Sequence, residues 1–229
     1  MGEVELAIAA TNTPTWDWAS FKGSGTALKL NRRDLPELER VIALTPGRSV
    51  AVQAGGNLGL WPKRLAQDFK TVYTFEPAAD LFALLQRNAP ESNIIKCQMA
   101  LGEQHELVSM SRERRDGKTR PPHEGITHVS GPGVIPTLLV DDLGLPVCDL
   151  LALDLEGWEL YALRGAKATI HRCRPVIAVE VNEHIREVGL TPEAVREFLT
   201  SCRYQQCLRF VADDVWVPNE WTKEASCEP

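Results

Sequence analysis

An apolar run that stops at a glycine cluster constrains this chain more than any other stretch. It reads Ser49-Val-Ala-Val-Gln-Ala-Gly55-Gly56-Asn57-Leu58-Gly59. Leu58, Trp61, Leu65 and Phe69 then fall at helical spacing. The pattern is strand, tight turn, helix. Glycine lets a backbone approach a ligand closely, and a helix N-terminus presents free N–H groups. The next expected strand, Thr71-Val-Tyr-Thr-Phe75, ends in Glu76. A carboxylate on the tip of the second strand is where a ribose diol would be held. Together these features predict a nucleoside-containing cofactor.

From Ser49 the chain alternates. Strands are expected at 49–54, 71–76, 93–98, 148–154 and 175–181, and helices at 58–69, 78–88, 157–169 and 191–202. Leu150-Leu-Ala-Leu153 and Val176-Ile-Ala-Val179 are continuous apolar runs, which suit parallel strands buried on both faces. Thr191-Pro192-Glu193 reads as a helix start. Two more strands, near 204–211 and 214–217, imply an antiparallel hairpin at the sheet edge. This is an α/β, Rossmann-like pattern: a doubly wound, mostly parallel sheet with helices on both faces. Residues 1–45 read as an N-terminal extension packing on the core or covering the site, through Trp16, Trp18 and Phe21, with a short helix from Pro36 to Leu44 capped by Asp34. Residues 46–229 form the main domain, interrupted by an insertion at 103–147. That insertion carries two further strands, Glu106–Met110 and Ile135–Val140, around a basic loop at 112–125. The loop reads as a solvated connection or as a gate for an anionic substrate.

The glycine register narrows the cofactor. A dinucleotide loop needs G-x-G-x-x-G, and Gly55, Gly56 and Gly59 do not fall in it. A phosphate loop needs Gly-Lys-Ser/Thr, which is absent. The spacing instead matches the acid-x-Gly-x-x-x-Gly loop of class I methyltransferases. Read with Thr74-Phe-Glu-Pro77, Met99-Ala-Leu-Gly102, Thr137-Leu-Leu-Val-Asp141, Asp154-Leu-Glu-Gly157, Glu159-Leu, Leu163-Arg-Gly-Ala166 and Val179-Glu180, the chain resembles the FkbM-type family of these enzymes over roughly residues 48–185. The resemblance implies S-adenosyl-L-methionine as cofactor. It implies that Gly55, Gly56, Asn57 and Gly59 surround the aminocarboxylate and thioether, and that Glu76 takes the ribose hydroxyls. Pro77 would lie beside the adenine, Gln98, Met99 and Ala100 would close over it, and Asp154 would stand at the reactive end. One position departs from the family, which has an acid where this chain has Gln53. Gln keeps hydrogen-bonding capacity and loses the charge.

Methyl transfer to a hydroxyl needs alignment, exclusion of water and a group to take the proton. Asp154 and Glu156 flank the end of the fourth strand, and Glu180 ends the fifth, followed by His184. C-terminal strand ends line the ligand crevice of open parallel sheets. These four are the candidate catalytic residues. Asp154 reads equally as a ligand of the cofactor amine, Glu156 as a helix cap and Glu180 as an orienting group. His184 has the side chain nearest neutrality, and His128 is a weaker base candidate. The spacing matches no recognised metal motif, and no metal is expected. The resemblance implies O-methylation of a small molecule, sugar or glycan. Alternatives are an N- or nucleotide-directed methyltransferase and a non-catalytic cofactor-binding module. With a net charge of −6, nucleic acid is not a favoured partner. No run spans a bilayer, and the six cysteines form no CxxC pair. They read as reduced thiols of a cytoplasmic protein. Oligomeric state is left open, a homo-oligomer included.

Overall fold

The computed structural model describes residues 25–112 and 127–221, with side chains from residue 35 onward except those of residues 183, 184 and 187. Trp16, Trp18, Phe21, the Asp34 side chain and most of the basic loop lie outside the described residues.

The chain opens with α1 (Gly25–Leu44) and β1 (Val50–Ala54), followed by α2 (Leu60–Leu65), β2 (Thr71–Phe75), α3 (Ala79–Asn88) and β3 (Ile94–Cys97). Four short strands come next: β4 (Ala100–Leu101), β5 (Leu107–Ser111), β6 (His128–Pro132) and β7 (Ile135–Leu138). Then follow β8 (Leu150–Leu153), α4 (Glu159–Arg164), α5 (Lys167–Cys173), β9 (Val176–Glu180), α6 (Pro192–Ser201), β10 (Tyr204–Arg209) and β11 (Asp213–Pro218). Seven strands form one sheet in the order β10-β11-β9-β8-β1-β2-β3. It is parallel from β9 to β3, and β11 runs antiparallel to both its neighbours. The insertion, together with β4 just before it, makes a second sheet, β4-β7-β5-β6. Among the described residues, no helix is long and apolar enough to cross a membrane.

The apolar runs are buried on both faces, as parallel strands between helices require. Val52, Leu151, Leu153, Ile177 and Val179 join one core with Leu160, Ile170 and Leu199 of α4, α5 and α6. The alternate residues Ala51, Leu150, Ala152, Val176 and Ala178 join the other, with Leu38, Leu65 and Leu85 of α1, α2 and α3. Thr191 caps α6 through its Oγ1, which accepts from the Ala194 N–H, with Pro192 in the first turn.

Three expectations are corrected. The first helix does not begin at Pro36 but contains it. Leu35, Leu38, Val41 and Ile42 form a buried stripe along it, so packing outweighs the proline's missing donor. The expected helix 157–169 is two helices. A Cβ on Gly165, at the break, would lie 1.9 Å from the Gly102 carbonyl oxygen. The Asp141 carboxylate accepts from the N–H groups of Ala168 (2.8 Å) and Thr169 (2.7 Å), which starts α5 afresh. Gly165→Ala must push one backbone segment off another. It is expected to destabilise the fold by about 1–3 kcal/mol in a urea titration. Finally, Cys97, Cys148, Cys173 and Cys202 are free thiols, but Cys207, half-buried on the edge strand β10, is disulfide-bonded. Cysteine usage therefore does not argue for a reducing compartment.

Candidate functional site

The strand order reverses direction beside β1. The chain moves outward through β2 and β3 on one side, and returns through β8 and β9 on the other. Ligands of open α/β sheets sit at the carboxyl ends of strands flanking such a point. Gly55 leaves β1 there with φ +84°, and a Cβ on it would lie 2.0 Å from the Asp154 carbonyl oxygen at the end of β8. Only glycine fits that conformation and that contact.

Four of the loop's N–H groups are engaged within the chain. Gly55 and Gly56 both donate to the Phe75 carbonyl, at 3.0 and 2.9 Å. Asn57 donates to Glu76 Oε2 at 2.8 Å, and Gly59 to the Gly56 carbonyl at 2.8 Å. The glycines serve chain reversal and close packing. The helix they lead into, α2, has only 6 residues.

Glu76 is buried, and both its oxygens hold backbone: Oε2 the Asn57 N–H, Oε1 the Ala78 N–H at 2.9 Å. Burial pushes its carboxyl up to about 7. Those two hydrogen bonds pull the other way, and the charges of Asp80 and Asp154 add to the rise.

Gln53 is also buried, and both polar atoms of its amide are engaged. Nε2 donates to the Gly55 carbonyl at 2.9 Å, and Oε1 accepts from Thr74 Oγ1 at 2.6 Å. Thr74 is its direct partner on the neighbouring strand. A carboxylate cannot donate to the Gly55 carbonyl. Gln53→Glu, which would restore the family's acid, is therefore expected to lower stability by about 1–3 kcal/mol in chemical denaturation.

The remaining candidates divide. Asp154 is exposed at the end of β8. Glu180 closes β9 and is half-buried as a residue, yet its Oε2 is fully enclosed and has no hydrogen-bond partner. Burial raises its carboxyl well above the ordinary range, and the charges of Asp154, Glu156, Glu159 and Asp213 push in the same direction. Glu156 is half-buried in a left-handed conformation (φ 53°) and precedes Gly157, also at positive φ. It does not cap α4, whose first residue is Glu159. The His184 side chain lies outside the described residues, and its backbone belongs to a 3-10 turn, Glu183–Val188. His128 is buried on β6.

Sequence reasoning gave Glu159 no role. It is completely buried, and its Oε1 accepts from the N–H groups of Leu155 (2.8 Å) and Gly157 (3.1 Å). It thus ties down the loop that follows Asp154. Burial pushes its carboxyl to about 7. The available signal was an acid on the apolar face of α4, beside buried Leu160, Ala162 and Leu163.

Glu76 and Glu159 hold protons in the folded chain that the unfolded chain has already released above the ordinary value of 4.5. Stability should therefore fall as pH rises from about 4.5 to about 7 in thermal melts of the ligand-free protein.

Two cavities meet at Gly55 and Asp154. The smaller, about 40 Å³, is mostly apolar, with Phe75, Pro77, Met99, Ala100 and Trp158 around Glu76. The larger, about 210 Å³, holds Gln53, Asn57, Trp61, Glu180 and Asp213. Gln98 is exposed and lines neither. Neither do Glu156 and His128. Among the described residues, no group of three or more His, Cys, Asp or Glu is arranged to hold a metal ion. S-adenosylmethionine fits this donor set. An apolar slot ending in a carboxylate suits an adenosine. A carboxylate-rich cavity with an unpartnered acceptor at Asn57 Oδ1, beside the Gly55 turn, suits a cationic sulfonium and ammonium.

The profile of the methyltransferase FkbM domain matches residues 55–205, more than half of the chain. Among solved structures, the methyltransferase FkbM of Methylobacillus flagellatus is similar at 18% identity and a TM-score of 0.50, over 75% of this chain and 43% of that one. The chain thus spans less than half the length of that relative. The magnesium protoporphyrin IX methyltransferase of Synechocystis, with bound S-adenosylmethionine, matches at 12% identity and a TM-score of 0.48, over 86% of each chain. The N-methyltransferase NodS of Bradyrhizobium japonicum, with S-adenosylhomocysteine, matches at 12% identity and a TM-score of 0.48, over 81% of this chain and 84% of that one. No curated protein sequence matches.

Proposed function

The chain belongs to the FkbM methyltransferase domain family, and on that premise we propose that it moves the methyl group of S-adenosylmethionine onto a hydroxyl of a small molecule, sugar or glycan. The observation that carries the choice of oxygen is Glu180 Oε2, a buried carboxylate oxygen with no partner in the wall of the larger cavity. An alcohol must lose its proton as it attacks, whereas a neutral amine attacks through a lone pair already free. A basic carboxylate with an unused lone pair is the group a hydroxyl needs.

In this reading Glu76 accepts the ribose hydroxyls through its remaining lone pairs, while its bonds to Asn57 and Ala78 hold it in place. Pro77, Met99 and Ala100 pack the base, Met99 through its polarizable sulfur. Asn57 Oδ1 and Asp154 face the amine end, with Gln53 bracing the Gly55–Gly59 turn. When bound, the cofactor supplies an electrophilic methyl group on a sulfonium. Glu180 takes the hydroxyl proton on Oε2. Its raised affinity for protons improves it as a general base near neutrality. Glu159 fixes the loop that follows Asp154.

The test is transfer from methyl-labelled cofactor into a pooled small-molecule extract, with the product linkage read by NMR. A labelled O-methyl product is expected. Label on nitrogen or in nucleic acid would overturn the acceptor assignment. Label in no product would favour the non-catalytic module.

A further inference from the structure

Among the described residues, two enclosed side-chain donors lack a hydrogen-bond partner, the indole N–H groups of Trp158 and Trp216. Trp216 lies on β11 inside the core and borders neither cavity. Trp158 stands in the wall of the smaller cavity with Pro77, Met99 and Ala100. An enclosed N–H that bonds to nothing costs the fold its desolvation. Beside a ligand site, such a donor calls for an acceptor on the ligand.

The Trp158 ring is held from several sides. It stacks on Tyr161, with ring centroids 4.1 Å apart. It packs against the apolar cluster of Ala100, Val108 and Val129 in the second sheet. Its backbone N–H donates to the Leu155 carbonyl at 3.3 Å, in the loop that Glu159 ties down. The indole is thus positioned before any ligand arrives, and its nitrogen can only donate.

The other polar groups of the wall do different work. Glu76 and Asp154 carry carboxylates, which accept and so cannot pair with a ring nitrogen that also accepts. Thr127 Oγ1 already accepts from Arg112 Nε at 3.2 Å. Adenine, joined to its ribose, keeps three ring nitrogens, N1, N3 and N7, and each is an acceptor in the plane of the base.

We propose that the Trp158 indole N–H donates to a ring nitrogen of the cofactor's adenine, which makes Trp158 a specificity-determining residue for the purine. This rests on the placement of the adenosine in the smaller cavity given above. A base with no acceptor on that edge leaves the indole unpaired and binds more weakly.

The experiment is a cycle between protein and ligand, read by calorimetry. Wild type and Trp158→Phe are titrated with S-adenosylhomocysteine and with its 1-deaza, 3-deaza and 7-deaza analogues, in each of which one ring nitrogen becomes C–H. Phenylalanine keeps an aromatic ring on Tyr161 and removes the donor. It is expected to weaken S-adenosylhomocysteine about tenfold. One analogue should bind wild type about tenfold more weakly than S-adenosylhomocysteine does, and bind both proteins equally within about twofold. Equal affinity of the two proteins for S-adenosylhomocysteine overturns the proposal. So does an equal loss for all four ligands, because that is packing and not a hydrogen bond. Should the variant fail to fold, wild type labelled with nitrogen-15 tryptophan carries the test. One indole proton signal should move downfield with S-adenosylhomocysteine and stay in place with one of the analogues, and the absence of any such signal overturns the proposal. Failure of the wild type to bind S-adenosylhomocysteine is a different result, because it removes the methyltransferase reading itself.

Discussion

Glu180→Gln will lower kcat by roughly 10²–10⁴-fold while leaving the affinity for S-adenosylhomocysteine unchanged within about twofold, because general-base catalysis contributes on that scale and the residue sits away from β1. The substitution keeps size and shape. It removes the ability to take a proton from the acceptor, and it relieves the crowding of Glu180 by Asp154, Glu156, Glu159 and Asp213. The variant should therefore be at least as stable as the wild type. Loss of activity with unchanged or higher thermal stability separates a chemical role from a structural one. If kcat survives, the proton goes elsewhere, and the His184 or Asp154 assignments return.

Glu76→Gln will weaken S-adenosylhomocysteine binding by about 100-fold or more. Two hydrogen bonds from ribose hydroxyls to a carboxylate contribute about 1.5–3 kcal/mol each. A glutamine can accept on one atom only, and its NH₂ would face the N–H of Asn57 or Ala78. The wild type should also bind in a pH-dependent way. Hydroxyl donors favour the ionised carboxylate, and burial holds Glu76 protonated up to about 7. Affinity therefore rises with pH below that point and levels off above it, with a proton released on binding. Calorimetric titrations across this range check both statements.

The contrast between what could be read early and what could not follows from physical range. The alternation of strands and helices, the Gly55 turn and the acids closing β2, β8 and β9 are local patterns, and each came out where the sequence pointed. What needed coordinates was tertiary. Pro36 hid ten residues or so of helix because the stripe Leu35, Leu38, Val41 and Ile42 gains its stability only from the core it covers. The break at Gly165 follows from a carbonyl at Gly102, more than sixty positions away in the chain. Gln53 read only as a lost charge because its partners could not be known. With Thr74 opposite it and the Gly55 carbonyl in front of it, the amide is the residue that fits the loop as it stands. Glu159 was visible as an acid in an apolar stripe, but its hold on Leu155 and Gly157 was not.

The central claim is that the crevice between β1, β2 and β8 holds S-adenosylmethionine, with Glu76 on the ribose. Titration of the wild-type chain with S-adenosylhomocysteine just below pH ~7, in two buffers of different ionisation enthalpy, tests it most directly. The account predicts binding at one site per chain, with observed heats that differ between buffers by the uptake of a released proton. Absence of binding, or binding whose heat is the same in both buffers, would contradict it.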